Sequence, residues 1–217
     1  MMKSVIAIVA WVLLLVAAAP VNADVVNVAV TPLGDGVSGR SWGYFGSYPY
    51  WESAANPQAS MHSYESGNGN SSSVFLQVGI PTVNPALVTS ATFNIHIVGL
   101  GGAEANLANC YHVSNSSSAT GNASQQLGGN EWVGGVPNTA SVGWFSFNVT
   151  PNIINDLNSG YSWAAFSFPY VGYCNVTFDS GESAYAPYLS VTTIPEPASL
   201  ALLAIGGLAL IRRHRVG

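Results

Sequence analysis

Val88-Thr89-Ser90-Ala91-Thr92-Phe93-Asn94-Ile95-His96-Ile97 is the stretch that decides how this chain folds. Phe93, Ile95 and Ile97 alternate with Thr92, Asn94 and His96. Successive side chains of an extended backbone point to opposite faces, so this is a strand with one apolar and one polar face. Outward from it, further short strands are expected at 26–30, 74–80, 107–113, 144–149, 163–168, 174–178 and 188–193. They are rich in β-branched and aromatic residues and are separated by Gly, Asn, Ser and Pro, which supply turns. Eight such strands without long helical patterns between them predict an all-β protein, a jelly-roll-like β-sandwich.

One short helix interrupts the strands. Thr150 stands where a cap belongs, Pro151 falls in the first turn where its missing N–H costs nothing, Ile153, Ile154 and Leu157 share a face, and Gly160 ends the element. Such a helix would plug one end of the sandwich. Residues 67–73 and 114–130 are poor in apolar side chains and read as surface loops.

Both chain ends read as address segments. Lys3, an apolar run over 5–19 and Val21-Asn22-Ala23 make residues 1–23 a secretory signal peptide cut by signal peptidase after Ala23. At the other end, Ile194-Pro195-Glu196-Pro197 cannot continue a helix, because proline lacks the backbone donor and restricts its predecessor. The next fourteen residues, 198–211, carry no charge and are followed by Arg212, Arg213 and Arg215. As a transmembrane helix they reach about 21 Å, short of a hydrocarbon core of about 30 Å. Arginines stay on the cytoplasmic side, which sends everything before Pro195 across the membrane. The intervening residues 24–193 form the exported domain.

Pro195, Glu196 and Pro197, a short apolar helix and the Arg212-Arg213 end resemble the PEP-CTERM sorting signal of Gram-negative bacteria. That resemblance implies recognition by an exosortase, a membrane cysteine protease. It also implies transient anchoring in the inner membrane and delivery to the cell surface or extracellular matrix. The competing reading is an ordinary C-terminal membrane anchor.

Within 24–193 the only Lys or Arg is Arg40, against Asp24, Asp35, Glu52, Glu65, Glu104, Glu131, Asp156, Asp179 and Glu182. A domain with that balance repels polyanions, which excludes nucleic acid and electrostatic attachment to acidic lipids as partners. Ser, Asn, Thr and Gly supply the polarity instead, a surface suited to sugars. Cys110 and Cys174 both lie in the exported part, where thiols are usually oxidised. A disulfide is the favoured reading and would stabilise the fold by about 4 kcal/mol in the chain-entropy picture; two separate buried thiols are the alternative.

The run Ser73-Val74-Phe75-Leu76-Gln77-Val78, the segment Val88-Thr89-Ser90-Ala91-Thr92-Phe93-Asn94-Ile95, then Phe147-Asn148-Val149-Thr150, and finally Phe178-Asp179-Ser180-Gly181-Glu182 with Pro187-Tyr188-Leu189-Ser190-Val191 resemble a DNRLRE-type domain. That family is similar to the disaggregatase-related modules of secreted, polysaccharide-associated proteins. The resemblance implies a jelly roll over roughly 74–193. Gly181 stands where the family usually has arginine, so no ligand site is carried over.

Candidate chemistry is sparse. Trp42, Tyr44, Tyr48, Tyr50 and Trp51, with Phe45, crowd a glycine-containing loop whose rings could stack on pyranose faces; burial of the same rings as core is the competing reading. Trp144 and Trp163, inside strands, are expected in the core, and Trp132 is read with them. Gly39-Arg40-Ser41-Trp42-Gly43 matches a nucleophile elbow formally, but no strand-to-helix context surrounds Ser41. His62, His96 and His112 lack paired ligand spacing, so a zinc site is not expected. Asp24, Asp35, Asp179 and Glu182 could assemble a Ca²⁺ site, although solvated carboxylates are the default and no motif supports the ion. No catalytic residues, metal site or cofactor are assigned.

The expectation is therefore a non-enzymatic exported protein of the cell surface or extracellular matrix with a structural, adhesive or exopolysaccharide-associated role. The alternative is a carbohydrate-binding module or glycan-active enzyme that uses the aromatic stretch 42–51.

Overall fold

A computed structural model describes residues 23–30, 35–43, 46–53, 60–65, 70–116, 131–169 and 174–194, with 35–43, 46–53, 60–65, 70–72 and 114–116 described by their backbone. Residues 1–22 of the segment 1–23 read as a signal peptide, the sorting residues Pro195, Glu196, Pro197, Arg212 and Arg213, and the apolar segment 198–211 lie outside the described residues. Among the described residues, no helix is long and apolar enough to cross a membrane. Val25–Thr192 forms one compact unit.

Its strands are β1 (Asp24–Ala29), β2 (Asp35–Gly43), β3 (Gly46–Ser53), β4 (Ser60–Glu65), β5 (Asn70–Gly79), β6 (Val88–Gly101), β7 (Asn106–Ser116), β8 (Glu131–Pro137), β9 (Gly143–Asn148), β10 (Trp163–Phe168), β11 (Asn175–Asp179) and β12 (Tyr188–Thr193). A helix, α1 (Thr150–Asn158), separates β9 from β10. A 3-10 turn, Pro85–Leu87, leads into β6; the Asn84 side chain starts it by accepting from Ala86 N–H at 3.0 Å.

The strands form an antiparallel all-β sandwich. In one layer β6 carries β9 along one edge and β12 along the other, and β1 follows β12. In the other the order is β3, β2, β5, β10, β7, β8. β11 and β4 join the layers: β11 pairs with the C-terminal end of β6 and with β4, and β4 pairs with β5 at Ser71 and Ser72. The short strands β11 and β4 thus cover the layer edges that they bridge, while β1, β9, β3 and β8 are outermost among the described strands.

Aromatic stacking closes the interior. Phe93 of β6 stacks on Phe166 of β10 with ring centroids 4.0 Å apart, and Phe168 meets Phe93, Phe147 and Phe178. Phe93, Ile95 and Ile97 are fully buried while Thr92 and His96 are not, as the alternation requires. β10 is buried on both faces: Ala164, Phe166 and Phe168 belong to the main core, whereas Ala165 joins Phe75 and Val113 in a small second cluster.

All eight expected strands are present, and the structure adds β2, β3, β4 and β8. Residues 42–51 are not one loop. Trp42 pairs with Ser47, Ser41 with Tyr48, Gly39 with Tyr50 and Ser38 with Trp51 in a β2–β3 hairpin, while Tyr44 and Phe45 and the side chains of this hairpin lie outside the described set. Gly39 to Gly43 sit within β2, which is no setting for a nucleophile elbow at Ser41. The stretch read as a loop at 67–73 already enters β5 at Asn70, and β7 extends to Ser116 in the segment read as the loop 114–130.

The helix is where it was expected, but Thr150 does not cap it. The N-cap is Val149, with no side-chain bond. Thr150 Oγ1 instead accepts from Ala91 N–H at 2.9 Å and lies 2.8 Å from Asn148 Oδ1, which also accepts Thr150 N–H. The hydroxyl thus ties α1 to β6. Ile153 is in the core, Ile154 and Leu157 pack against it, and Gly160 adopts φ +76°, the left-handed conformation that lets the chain leave the helix.

Candidate functional site

The polar face of the β6–β9–β12 layer carries the most developed cluster of side chains. On β9, Phe145 and Phe147 turn toward the core, so Trp144, Ser146 and Asn148 must face out. Trp144 lies opposite His96 across the β6–β9 ladder and is 49% exposed, a correction to its expected place in the core. Trp132 is also exposed, on β8, and Trp163 is only partly buried.

Four rings form a row here. Tyr185 stacks on His96 with centroids 4.6 Å apart and planes within 22°. Trp144 meets His96 edge-on at 5.2 Å and Tyr188 edge-on at 5.1 Å. Tyr185 is 54% exposed. Beneath the row, Ser146 Oγ donates to Asn94 Oδ1 at 2.6 Å, and Asn94 Nδ2 donates to Thr92 O at 3.1 Å.

Asp179 holds the arrangement together. Its Oδ2 is 2.7 Å from His96 Nδ1, and its Oδ1 accepts from Ser183 Oγ at 2.8 Å. Ser183 Oγ in turn accepts Tyr185 N–H at 3.1 Å. The chain from His96 through Asp179 and Ser183 to Tyr185 therefore fixes both stacked rings from one carboxylate. Ser180 Oγ donates to Glu182 Oε2 at 2.6 Å and Ser183 N–H to Ser180 O, tightening the same turn. Hydrogen bonds of this kind hold side chains in place and reduce the freedom they have left to lose.

A hydrolytic triad needs a hydroxyl on the free imidazole nitrogen, with the carboxylate behind the ring. Here the serine hydroxyl lies behind the carboxylate, so the order is Ser183, Asp179, His96, and His96 has no nucleophile to activate among the described residues.

A second pair is sealed in the interior. His112 of β7 and Asp156 of α1 are 0% and 1% exposed in their side chains, with His112 Nε2 2.8 Å from Asp156 Oδ2. Exposed Glu131 lies 3.6 Å from His112 Nδ1. His112 Nδ1 and Asp156 Oδ1 are buried without a hydrogen-bond partner.

Cys110 and Cys174 are both buried free thiols, so the disulfide expected from the compartment gives way to the alternative of two separate thiols. Burial pushes the Cys110 thiol well above its ordinary value, because desolvation penalises the thiolate. Among the candidates for Ca²⁺, Asp24 is exposed, Asp35 has no described side chain, and Asp179 and Glu182 are engaged as above. Among the described residues no three His, Cys, Asp or Glu side chains are grouped to hold a metal ion. Ala23 is exposed immediately before β1.

Neither His96–Asp179 nor His112–Asp156 was foreseen from sequence. The partners stand 83 and 44 residues apart, beyond any local motif. The one available signal was a histidine on the polar face of an alternating strand.

Residues 193–216 match the PEP-CTERM protein-sorting motif. No curated protein matches the chain. The motif indicates sorting by an exosortase-type system and implies export to the cell surface or beyond.

Proposed function

From the sorting motif at 193–216 as premise, we propose that the protein is a non-enzymatic component of the cell surface or extracellular matrix, acting there by contact with exopolysaccharide or neighbouring surface material. Signal peptidase cuts after Ala23, the segment 198–211 holds the chain briefly in the inner membrane, and exosortase processes it at Pro195-Glu196-Pro197. The β domain needs no cofactor. The sequence resemblance of 74–193 to DNRLRE-type domains is in keeping with a polysaccharide-associated setting.

The observation that carries this reading is the junction of the sorting motif with a β-sandwich that bears a single Lys or Arg side chain, Arg40. Such a domain is acidic, and it has little affinity for polyanions. Reading the domain as a contact protein is supported by the order of Ser183, Asp179 and His96, which lacks an activated nucleophile.

The test is Glu196→Ala with Pro197→Ala in the producing cell, followed by surface labelling and the mass of the recovered protein. The expected result is retention in the membrane fraction with the C-terminal residues uncut. Unchanged surface exposure and an unchanged mature mass would refute the exosortase route.

A further inference from the structure

We propose that Tyr185, His96, Trp144 and Tyr188 form a saccharide-binding platform for an uncharged hexose polymer. The proposal rests on the reading of the domain as one that meets extracellular polysaccharide, and it places the contact on the outer face of β6 and β9 instead of the 42–51 hairpin.

Three observations lead to it. Trp144 and Tyr185 each leave about half their surface in water, on either side of His96, although rings of this size normally contribute to a core. Exposed aromatic rings offer flat faces to the C–H face of a pyranose while the phenol and indole edges stay hydrated. The platform is also built, not incidental: Asp179 bonds His96 Nδ1 and Ser183, and Ser183 bonds the backbone of Tyr185. With Nδ1 engaged, the hydrogen-bonding capacity left to the His96 ring is Nε2, which takes part in no hydrogen bond among the described residues and suits a sugar hydroxyl.

Charge selects the polymer. Asp179 bonds His96 within the row, Glu182 belongs to the turn that follows Asp179, and the exported domain carries one basic side chain against nine acidic ones. A uronate or sulfated sugar would be repelled, whereas hydroxyls can donate to carboxylates.

The test uses the full chain purified in mild detergent and affinity electrophoresis through gels containing soluble β-glucan, mannan, galactan or polygalacturonate. Retardation by at least one neutral polymer and none by polygalacturonate is expected. Trp144→Ala and Tyr185→Ala should each weaken it at least tenfold with the thermal midpoint nearly unchanged, because both side chains are half exposed. Trp132→Ala, an exposed tryptophan on β8 of the other layer, should bind like the parent.

Absence of retardation by every neutral polymer would overturn the proposal. So would undiminished binding by Trp144→Ala and Tyr185→Ala, equal loss in Trp132→Ala, or binding of polygalacturonate as tight as that of the neutral gels. Failure here, with surface delivery intact, would leave the sorting reading standing; failed delivery with retained binding would do the reverse.

Discussion

His112 of β7 and Asp156 of α1 meet at 2.8 Å with neither side chain reaching water, so one hydrogen bond pins the helix to the sandwich. With an N–H at Nε2 as donor, Asp156 Oδ2 is the acceptor. Removing the ring strands the carboxylate in a site it cannot leave. His112→Leu should cost about 3–5 kcal/mol in urea denaturation, the range for breaking a buried pair. Asp156→Asn, which keeps an acceptor for Nε2, should cost clearly less. Equal losses from both would mean that packing against Phe166, not the hydrogen bond, anchors the helix.

The stacked pair Phe93 and Phe166 spans the two layers, both rings fully buried. Phe166→Ala should destabilise the domain by about 3–5 kcal/mol, through lost transfer energy and the cavity left between strands that cannot collapse. Phe145, only partly buried and at the margin of the same core, should cost less when truncated. Chemical denaturation of both variants checks the ranking, and a Phe145→Ala loss equal to that of Phe166→Ala would contradict the burial pattern.

Alternation made β6 readable because both of its faces have a distinct fate, and the same holds for β12, where Leu189 and Val191 are buried between half-exposed neighbours. It was less decisive for β8, an outer strand containing Gly134 and Gly135, and for the hairpin at 42–51, where Gly43, Gly46 and Pro49 read as loop chemistry although the backbone pairs through all of them. Trp144 was misplaced because a large ring in a strand suggests a core. Its register with Ser146 and Asn148 on the outward side carried the contrary information. The His96–Asp179 and His112–Asp156 pairs join residues from elements distant in the chain, so no local spacing could reveal them.

Cys110 and Cys174 offer a direct check on the interior. As free thiols they should leave the unfolding midpoint the same with or without reductant; a bonded pair would lose about 4 kcal/mol on reduction. The Cys110 thiol is raised by burial, so in the folded state it keeps its proton at pH values where the unfolded thiol, near 8.5, has lost it. The unfolded state then binds fewer protons than the folded one, and stability falls as pH rises above about 8.5, by at most about 1.4 kcal/mol per pH unit for this group. Cys110→Ala should remove that alkaline contribution. A parent and variant with the same pH dependence from 8 to 10 would contradict the assignment.

Gly102 follows β6 with φ +128°, and a methyl group built on it would sit 2.6 Å from Cys174 Sγ and 2.9 Å from Cys174 Cα. The second contact is with backbone, so no rotamer change relieves it, and the dihedral is one that L side chains rarely adopt. Cys174 immediately precedes β11, the strand that links the C-terminal end of β6 to β4. Gly102→Ala should therefore destabilise the domain by about 1–3 kcal/mol. Cys174→Ala in the same chain should recover little of it, since the Cα clash and the dihedral both remain. Gly143 also has positive φ, at +122°, but nothing lies within 4 Å of a methyl there, so Gly143→Ala isolates the conformational share of the cost. Thermal denaturation of the three variants should rank Gly102→Ala as the less stable of the two glycine substitutions. The opposite order would show that the close approach of β6 to Cys174 is not a constraint on the fold.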